Sequence, residues 1–210
     1  MARTRVKICG IRDEDGLYAA IDAGADAVGF VFVESSPRFV RPERAFDLMG
    51  LLTPMVVSVG VFQDADEDAF GEIEQICPVH HAQLHGDETA ETVEACGPDV
   101  IKAVRFGTET FEADVARWDV NENVAAILID GPSGGSGRPV DWEAVARVTE
   151  QVSKPVLLAG GLTAENVAEA VRLVRPYAVD VSSGVEGERG VKDAAKIEAF
   201  CDAVRRADLG

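Results

Sequence analysis

Apolar and polar positions alternate along the chain on two scales. Short runs rich in Val and Ile occupy residues 6–9, 27–32, 55–61, 81–84, 100–104, 125–129, 155–159 and 178–181. Between them lie longer segments in which apolar residues recur at helical spacing. A short continuous apolar run bounded by turn residues is the mark of a strand buried on both faces. The runs follow one another at roughly 20 to 30 residues, enough for a strand and a crossover helix, which favours parallel pairing. One helix is predicted over 163–174, opening on Thr163-Ala164-Glu165-Asn166. Another is predicted over 193–206, where Ile197, Phe200, Cys201 and Val204 share one face. Eight βα units without a break in composition predict a single domain over 1–210, a closed α/β barrel of the (β/α)8 type. An open doubly wound sheet is the alternative topology.

In such a barrel the chemistry lies where strands end. The first apolar run ends in Cys9-Gly10, the fourth in Gln83-Leu84-His85-Gly86, and the fifth in Arg105. The sixth ends in Asp130, followed by Gly131-Pro132-Ser133-Gly134-Gly135-Ser136-Gly137. The seventh ends in Gly160-Gly161 and the eighth in Ser182-Ser183-Gly184. Glycine turns let backbone N–H groups approach an anion, and the loops after strands seven and eight of a barrel are a frequent phosphate site. The same glycines also serve as plain tight turns.

Cys9 and Asp130 belong to strands that are not neighbours in an eight-stranded barrel, so they can face each other across the mouth. A thiolate and a carboxyl there make a base and an acid. A buried small hydrophobe and a turn former are the plainer readings of the two residues. Lys7, two residues before Cys9 on the same strand, points the same way and is placed at the mouth as a cation able to lower the thiol pKa. Arg38 is a candidate clamp for a carboxylate. His80, His81 and His85 lie close in sequence. Adjacent strand residues face opposite ways, which argues against a metal site there.

Composition narrows the function classes. Hydrophobic residues make up 47% of the chain, enough for a sizeable core, and the formal net charge is −17. That charge excludes nucleic acid and an anionic membrane surface as partners. No run is long and apolar enough to span a membrane, and the first residues do not read as a signal peptide, so the expected location is the cytoplasm. The four cysteines are widely spaced with no C-x-x-C, unlike a disulfide framework or a zinc site. Among the 20 cations 15 are Arg, and acids crowd 64–68 and 86–91. Self-repulsion on this scale is relieved by salt, which predicts a protein adapted to a salt-rich cytoplasm.

Motifs in a fixed order carry a resemblance over almost the whole chain. They begin with Lys7-Ile8-Cys9-Gly10-Ile11, Gly24-Ala25-Asp26-Ala27-Val28-Gly29-Phe30-Val31-Phe32 and Ser36-Pro37-Arg38. They continue through Val59-Gly60-Val61-Phe62, Gln83-Leu84-His85-Gly86, Ile101-Lys102-Ala103-Val104, Gly134-Gly135-Ser136-Gly137 and Asp141-Trp142. They close with Leu158-Ala159-Gly160-Gly161-Leu162, Val179-Asp180-Val181-Ser182-Ser183-Gly184-Val185-Glu186 and Lys192-Asp193. The chain resembles the phosphoribosylanthranilate isomerases of tryptophan biosynthesis.

The resemblance implies a (β/α)8 barrel that needs no cofactor or metal and acts on a small phosphoribosyl substrate by an Amadori rearrangement. Members occur as monomers and homodimers. It implies Cys9 as general base, Asp130 as general acid and Arg38 as holder of the anthranilate carboxylate. Gly135, Gly137, Gly160, Gly161, Ser183 and Gly184 would bind the phosphate, and Gln83, His85 and Lys7 would stand at the mouth. The segment after Asp130 is shorter than in many relatives. Related readings are the histidine-pathway aminoimidazole isomerase, which uses two aspartates, a metal-dependent pentose-phosphate epimerase, and a barrel that only binds phosphorylated ligands.

Overall fold

Each of the eight apolar runs forms a strand, and the strands close on one another in sequence order. The computed structural model describes residues 3–131 and 141–210. The strands are β1 (Arg5–Cys9), β2 (Ala27–Val31), β3 (Val57–Phe62), β4 (His81–Leu84), β5 (Val100–Arg105), β6 (Val124–Asp130), β7 (Val156–Ala159) and β8 (Ala178–Val181). All pair in parallel, and β8 returns to β1 through the register Lys7↔Asp180. The intervening helices are α1 (Glu14–Asp22), α2 (Pro42–Met49), α3 (Glu67–Ile76), α4 (Ala90–Ala95), α5 (Phe111–Asp119), α6 (Trp142–Thr149), α7 (Val167–Val174) and α8 (Ala194–Leu209). This is a (β/α)8 barrel.

The alternation along each strand builds two apolar layers. Val6, Ile8, Val28, Phe30, Ile127, Ile129 and Val179 point outward and pack with helix residues such as Leu17, Val171 and Phe200. Ala103, Ala126, Leu128, Leu157 and Ala159 fill the interior. The interior is therefore a packed core, and chemistry in such a barrel belongs to the mouth.

Several boundaries differ from expectation for local reasons. Met55 lies outside β3, 93% exposed and at φ 77, and Pro155 precedes β7 because it has no N–H for a ladder. Helix α7 starts at Val167, since Asn166 binds its own turn: Oδ1 accepts from Thr163 N at 2.8 Å and Nδ2 donates to the Gly161 carbonyl at 2.9 Å. Helix α8 follows an Asp193 cap and runs on to Leu209. The histidines split. His80 and His81 sit at the start of β4, bonded to Ser58 and the Asp99 carbonyl, whereas His85 follows its other end.

A hairpin, β9 (Glu186–Glu188) with β10 (Val191–Lys192), lies beyond β8 and was not expected. Its Glu-Gly-Glu strand carries no apolar signal. Among the described residues no helix is long and apolar enough to cross a membrane.

Candidate active site

A cleft of about 370 Å³ opens at the C-terminal ends of the strands. Its lining brings together Cys9, Arg38, Gln83, His85, Asp130, Gly160, Gly161 and Ser183. Gly184 follows in the single 3-10 turn Ser183–Val185. Gly135 and Gly137 lie outside the described residues. Lys7 is not at the mouth: it is 2% exposed, inside the barrel and one layer below Cys9.

Cys9 ends β1 with its side chain against Val31 and Val61. Its register partner on β2 is Gly29, where a Cβ would come within 2.9 Å of Sγ and 3.2 Å of Lys7 Nζ. Only glycine leaves room for both groups. Burial pushes the Cys9 thiol up, the Lys7 ammonium pulls it back, Asp180 pushes it up again and Lys192 opposes. The net direction is upward, so the expected lowering by Lys7 is present but outweighed by desolvation.

Across the mouth, Gln83, His85 and Asp130 form one chain. Gln83 Nε2 donates to His85 Nδ1 at 2.9 Å, and His85 Nε2 lies 3.1 Å from Asp130 Oδ2. With the Gln83 amide in this orientation Nδ1 accepts and Nε2 carries the proton, so the imidazole turns its N–H to the carboxylate. Gln83 is 1% exposed, and among the described residues its Oε1 is buried without a partner.

Arg38 is held as a fork. Its Nε and Nη2 donate to Glu186 Oε1 and Oε2 at 2.6 and 2.9 Å. Glu186 also accepts from Gly190 N at 3.0 Å and Lys192 Nζ at 3.1 Å. Burial would raise its pKa, but these donors outweigh it and hold the carboxyl at about 2. Two of its five guanidinium N–H groups are committed to Glu186, and Arg38 lines the cleft. Lys192 Nζ further donates to the Ser182 carbonyl at 2.9 Å, and Ser182 Oγ donates to the Cys9 carbonyl at 3.0 Å. Hairpin β9–β10 thereby ties the ends of β1 and β8 to Arg38.

Gly160 shows why the turn after β7 is glycine. Its φ is +85°, and a Cβ there would meet Gly131 N at 2.3 Å. The ends of β6 and β7 thus touch backbone to backbone, and this steric need stands beside the anion-binding one. Among the described residues no group of three His, Cys, Asp or Glu is placed to hold a metal.

Sequence reasoning gave no role to Asp180, Glu186, Lys192 or the pair Lys102–Glu88. The signal was there: Asp180 interrupts Ala178-Val179-Asp180-Val181, and Lys7 and Lys102 likewise sit inside apolar strands. An ionisable residue within such a run needs a buried partner.

The arrangement brings a thiol and a carboxyl from separated strands, a guanidinium and glycine turns to one cleft. The family model described as N-(5'phosphoribosyl)anthranilate (PRA) isomerase matches residues 6–203. A Pseudomonas fluorescens protein named N-(5'-phosphoribosyl)anthranilate isomerase is 46% identical over 209 residues, covering 98% of this chain and all of the relative. The Thermotoga maritima phosphoribosyl anthranilate isomerase structure is 36% identical, with TM-score 0.88 over 97% of this chain and 99% of that one. A structure of the isomerase with reduced 1-(o-carboxyphenylamino)-1-deoxyribulose 5-phosphate is 34% identical, with TM-score 0.86 over 97% of this chain and 99% of that one. The chain belongs to the N-(5'-phosphoribosyl)anthranilate isomerase family.

Proposed function

We propose that the chain isomerises N-(5-phosphoribosyl)anthranilate to 1-(2-carboxyphenylamino)-1-deoxyribulose 5-phosphate, a step of tryptophan biosynthesis. The observation that carries this reading is one cleft lined by Cys9 from β1 and Asp130 from β6, beside the turns after β7 and β8.

Asp130 protonates the furanose ring oxygen, and the ring opens to a Schiff base. His85 binds Oδ2, which leaves Oδ1 to hold the transferred proton. Cys9 then takes the C2 proton from the other side. The C2–H electron pair becomes the C1=C2 bond, and the C=N π pair passes to the anthranilate nitrogen. The resulting enolamine tautomerises to the ketose. The free N–H groups of Arg38 bind the anthranilate carboxylate, with Glu186 holding the fork in place. Gly160, Gly161, Ser183 and Gly184, with Gly135 and Gly137, bind the phosphate through backbone N–H groups.

The same reading takes 1–210 as one barrel domain acting in the cytoplasm, as monomer or homodimer. It also takes the acidic surface as an adaptation to salt.

Turnover followed by loss of substrate fluorescence tests it, with Cys9→Ala and Asp130→Asn beside the native chain. Each substitution is expected to lower kcat by about 10²–10⁴-fold. A folded native chain without turnover would sink the assignment and leave phosphosugar binding to be tested instead.

A further inference from the structure

We propose that Lys7, anchored by Asp180, is a positioning residue that supplies the charge against which Cys9 works as a base. This rests on the reading of Cys9 as the general base.

The geometry begins on β1. Lys7 and Cys9 are two residues apart and both face the barrel interior. Lys7 Nζ donates to Asp180 Oδ1 at 2.8 Å, with the two side chains 2% and 8% exposed. Nζ and Sγ both crowd the space over Gly29, where a Cβ would come within 3.2 Å of the one and 2.9 Å of the other.

A buried lysine placed only for packing would be replaceable by an apolar residue. Here the ammonium pairs with a carboxylate and stands beside the thiol that must ionise before it can act as a base. Burial lowers the Lys7 pKa, but Asp180 and Cys9 outweigh it and the net direction is upward, which favours the ammonium. During the reaction the proton passes from substrate C2 to Sγ, and Lys7 keeps its own. The cation stabilises the thiolate before transfer, and Asp180 keeps the cation in place.

Other charges also face Cys9. Lys192 on β10 adds a second cation, already bonded to Glu186 and Ser182. Arg38 lies over Gly10, and His85 and Asp130 stand across the cleft. On β2 and β3 the facing residues are Gly29, Val31 and Val61, which do not titrate.

The two members of the pair act on Cys9 with opposite sign, and the test uses this. Cys9 alkylation by iodoacetamide, located by peptide mapping, is measured against pH for the native chain, Lys7→Met and Asp180→Asn. In parallel, kcat and KM are measured against pH. Lys7→Met is expected to move the alkylation midpoint up by about one unit or more, which cuts the thiolate fraction below the midpoint about tenfold. The acid limb of kcat moves with it, and KM changes less. Asp180→Asn keeps an oxygen to accept from Nζ and removes only the negative charge, so it is expected to move the midpoint down.

A folded Lys7→Met with the native midpoint would overturn the proposal, as would shifts of the same sign in both variants. If Lys7→Met does not fold, the neutral double variant Lys7→Met/Asp180→Asn decides. Its midpoint is expected above the native one, because the lost cation outweighs the lost anion at Cys9, and an unchanged midpoint refutes the idea. Alkylation reports the thiolate whether or not the chain turns over, so failure here is distinct from failure of the isomerase reading.

Discussion

Two strands of the barrel each carry a lysine that is 2% exposed, and the two lysines point to opposite sides of the barrel wall. Lys102 on β5 points outward into the layer between barrel and helices, 5.7 Å from the Trp118 ring. It donates to the carbonyls of Leu84, Gly86 and Ala103 at 3.3, 2.8 and 3.0 Å and pairs with Glu88 at 2.9 Å. Glu88 in turn accepts from Asp64 N and Gly86 N. Every bond of this cluster ends on scaffold, and its product is a fixed loop between β4 and α4 that holds His85 in place. Lys7 points inward, donates to one carboxylate oxygen and shares the space over Gly29 with the Cys9 thiol. Both cations pair with a carboxylate, but Lys102 is further saturated by three backbone carbonyls and is structural, whereas Lys7 is left beside a thiol and is available to chemistry. The difference is carried by strand parity, since inward and outward residues alternate along a barrel strand.

The largest effect expected from this contrast is on stability. Lys102→Met leaves Glu88 buried without its counter-ion and should cost about 3–5 kcal/mol in urea unfolding. The double variant Lys102→Met/Glu88→Gln keeps an acceptor for the two backbone N–H groups and removes the stranded charge. It should recover roughly half of that loss. The midpoint for Cys9 alkylation should not move in Lys102→Met. A shift there would break the distinction between the two lysines.

A second test concerns the carboxylate that orients Arg38. Glu186 is held at about 2 in the folded protein against 4.5 for its ordinary value. The folded pKa is depressed, so the stabilisation is complete above about 4.5 and is lost as pH falls through about 2. Two to three units correspond to about 3 kcal/mol. Unfolding free energies of the native chain and Glu186→Gln, compared at pH 6, 4 and 3, should differ by about that amount at first, and the gap should narrow with acid. A gap independent of pH would show that Glu186 contributes by packing rather than by charge.

Much of the molecule was legible because parallel barrel strands, covered on both faces, read as unbroken apolar runs. The ends of β6 and β8 fell at Asp130 and Val181 as read, so the candidate acid and the serine turn were found from strand ends alone. Cys9, Arg38 and Asp130 converge on one cleft as the motifs implied. What stayed hidden were the pairings. Lys7 meets Asp180 across 173 residues, and Arg38 meets Glu186 across 148. No periodicity encodes such distances. The acidic stretch 86–91 was read as surface, yet Glu88 is 7% exposed and closes the Lys102 cluster. Hydrophilic runs hide a buried charge because composition does not report which side chain turns inward.

The smallest expected effect separates surface charge from buried charge. Asp64, Asp66, Glu67 and Asp68 are exposed, and the chain carries −17 overall. Raising KCl from 0.1 to 1 M shortens the Debye length from about 10 Å to about 3 Å. Repulsion among these groups should then weaken, and Tm should rise by a few degrees. A Tm that stays level would count against the salt-adapted reading. The buried pairs lie outside the reach of that screening. The unfolding free-energy gap between the native chain and Lys102→Met should therefore hold to within about 0.5 kcal/mol across the same salt range. If the gap shrinks with salt, ions reach the Lys102 cluster, and its role as sealed scaffold fails. If only Tm moves, the acidic exterior responds to the solvent while the ionic interior keeps the geometry of the site independent of it.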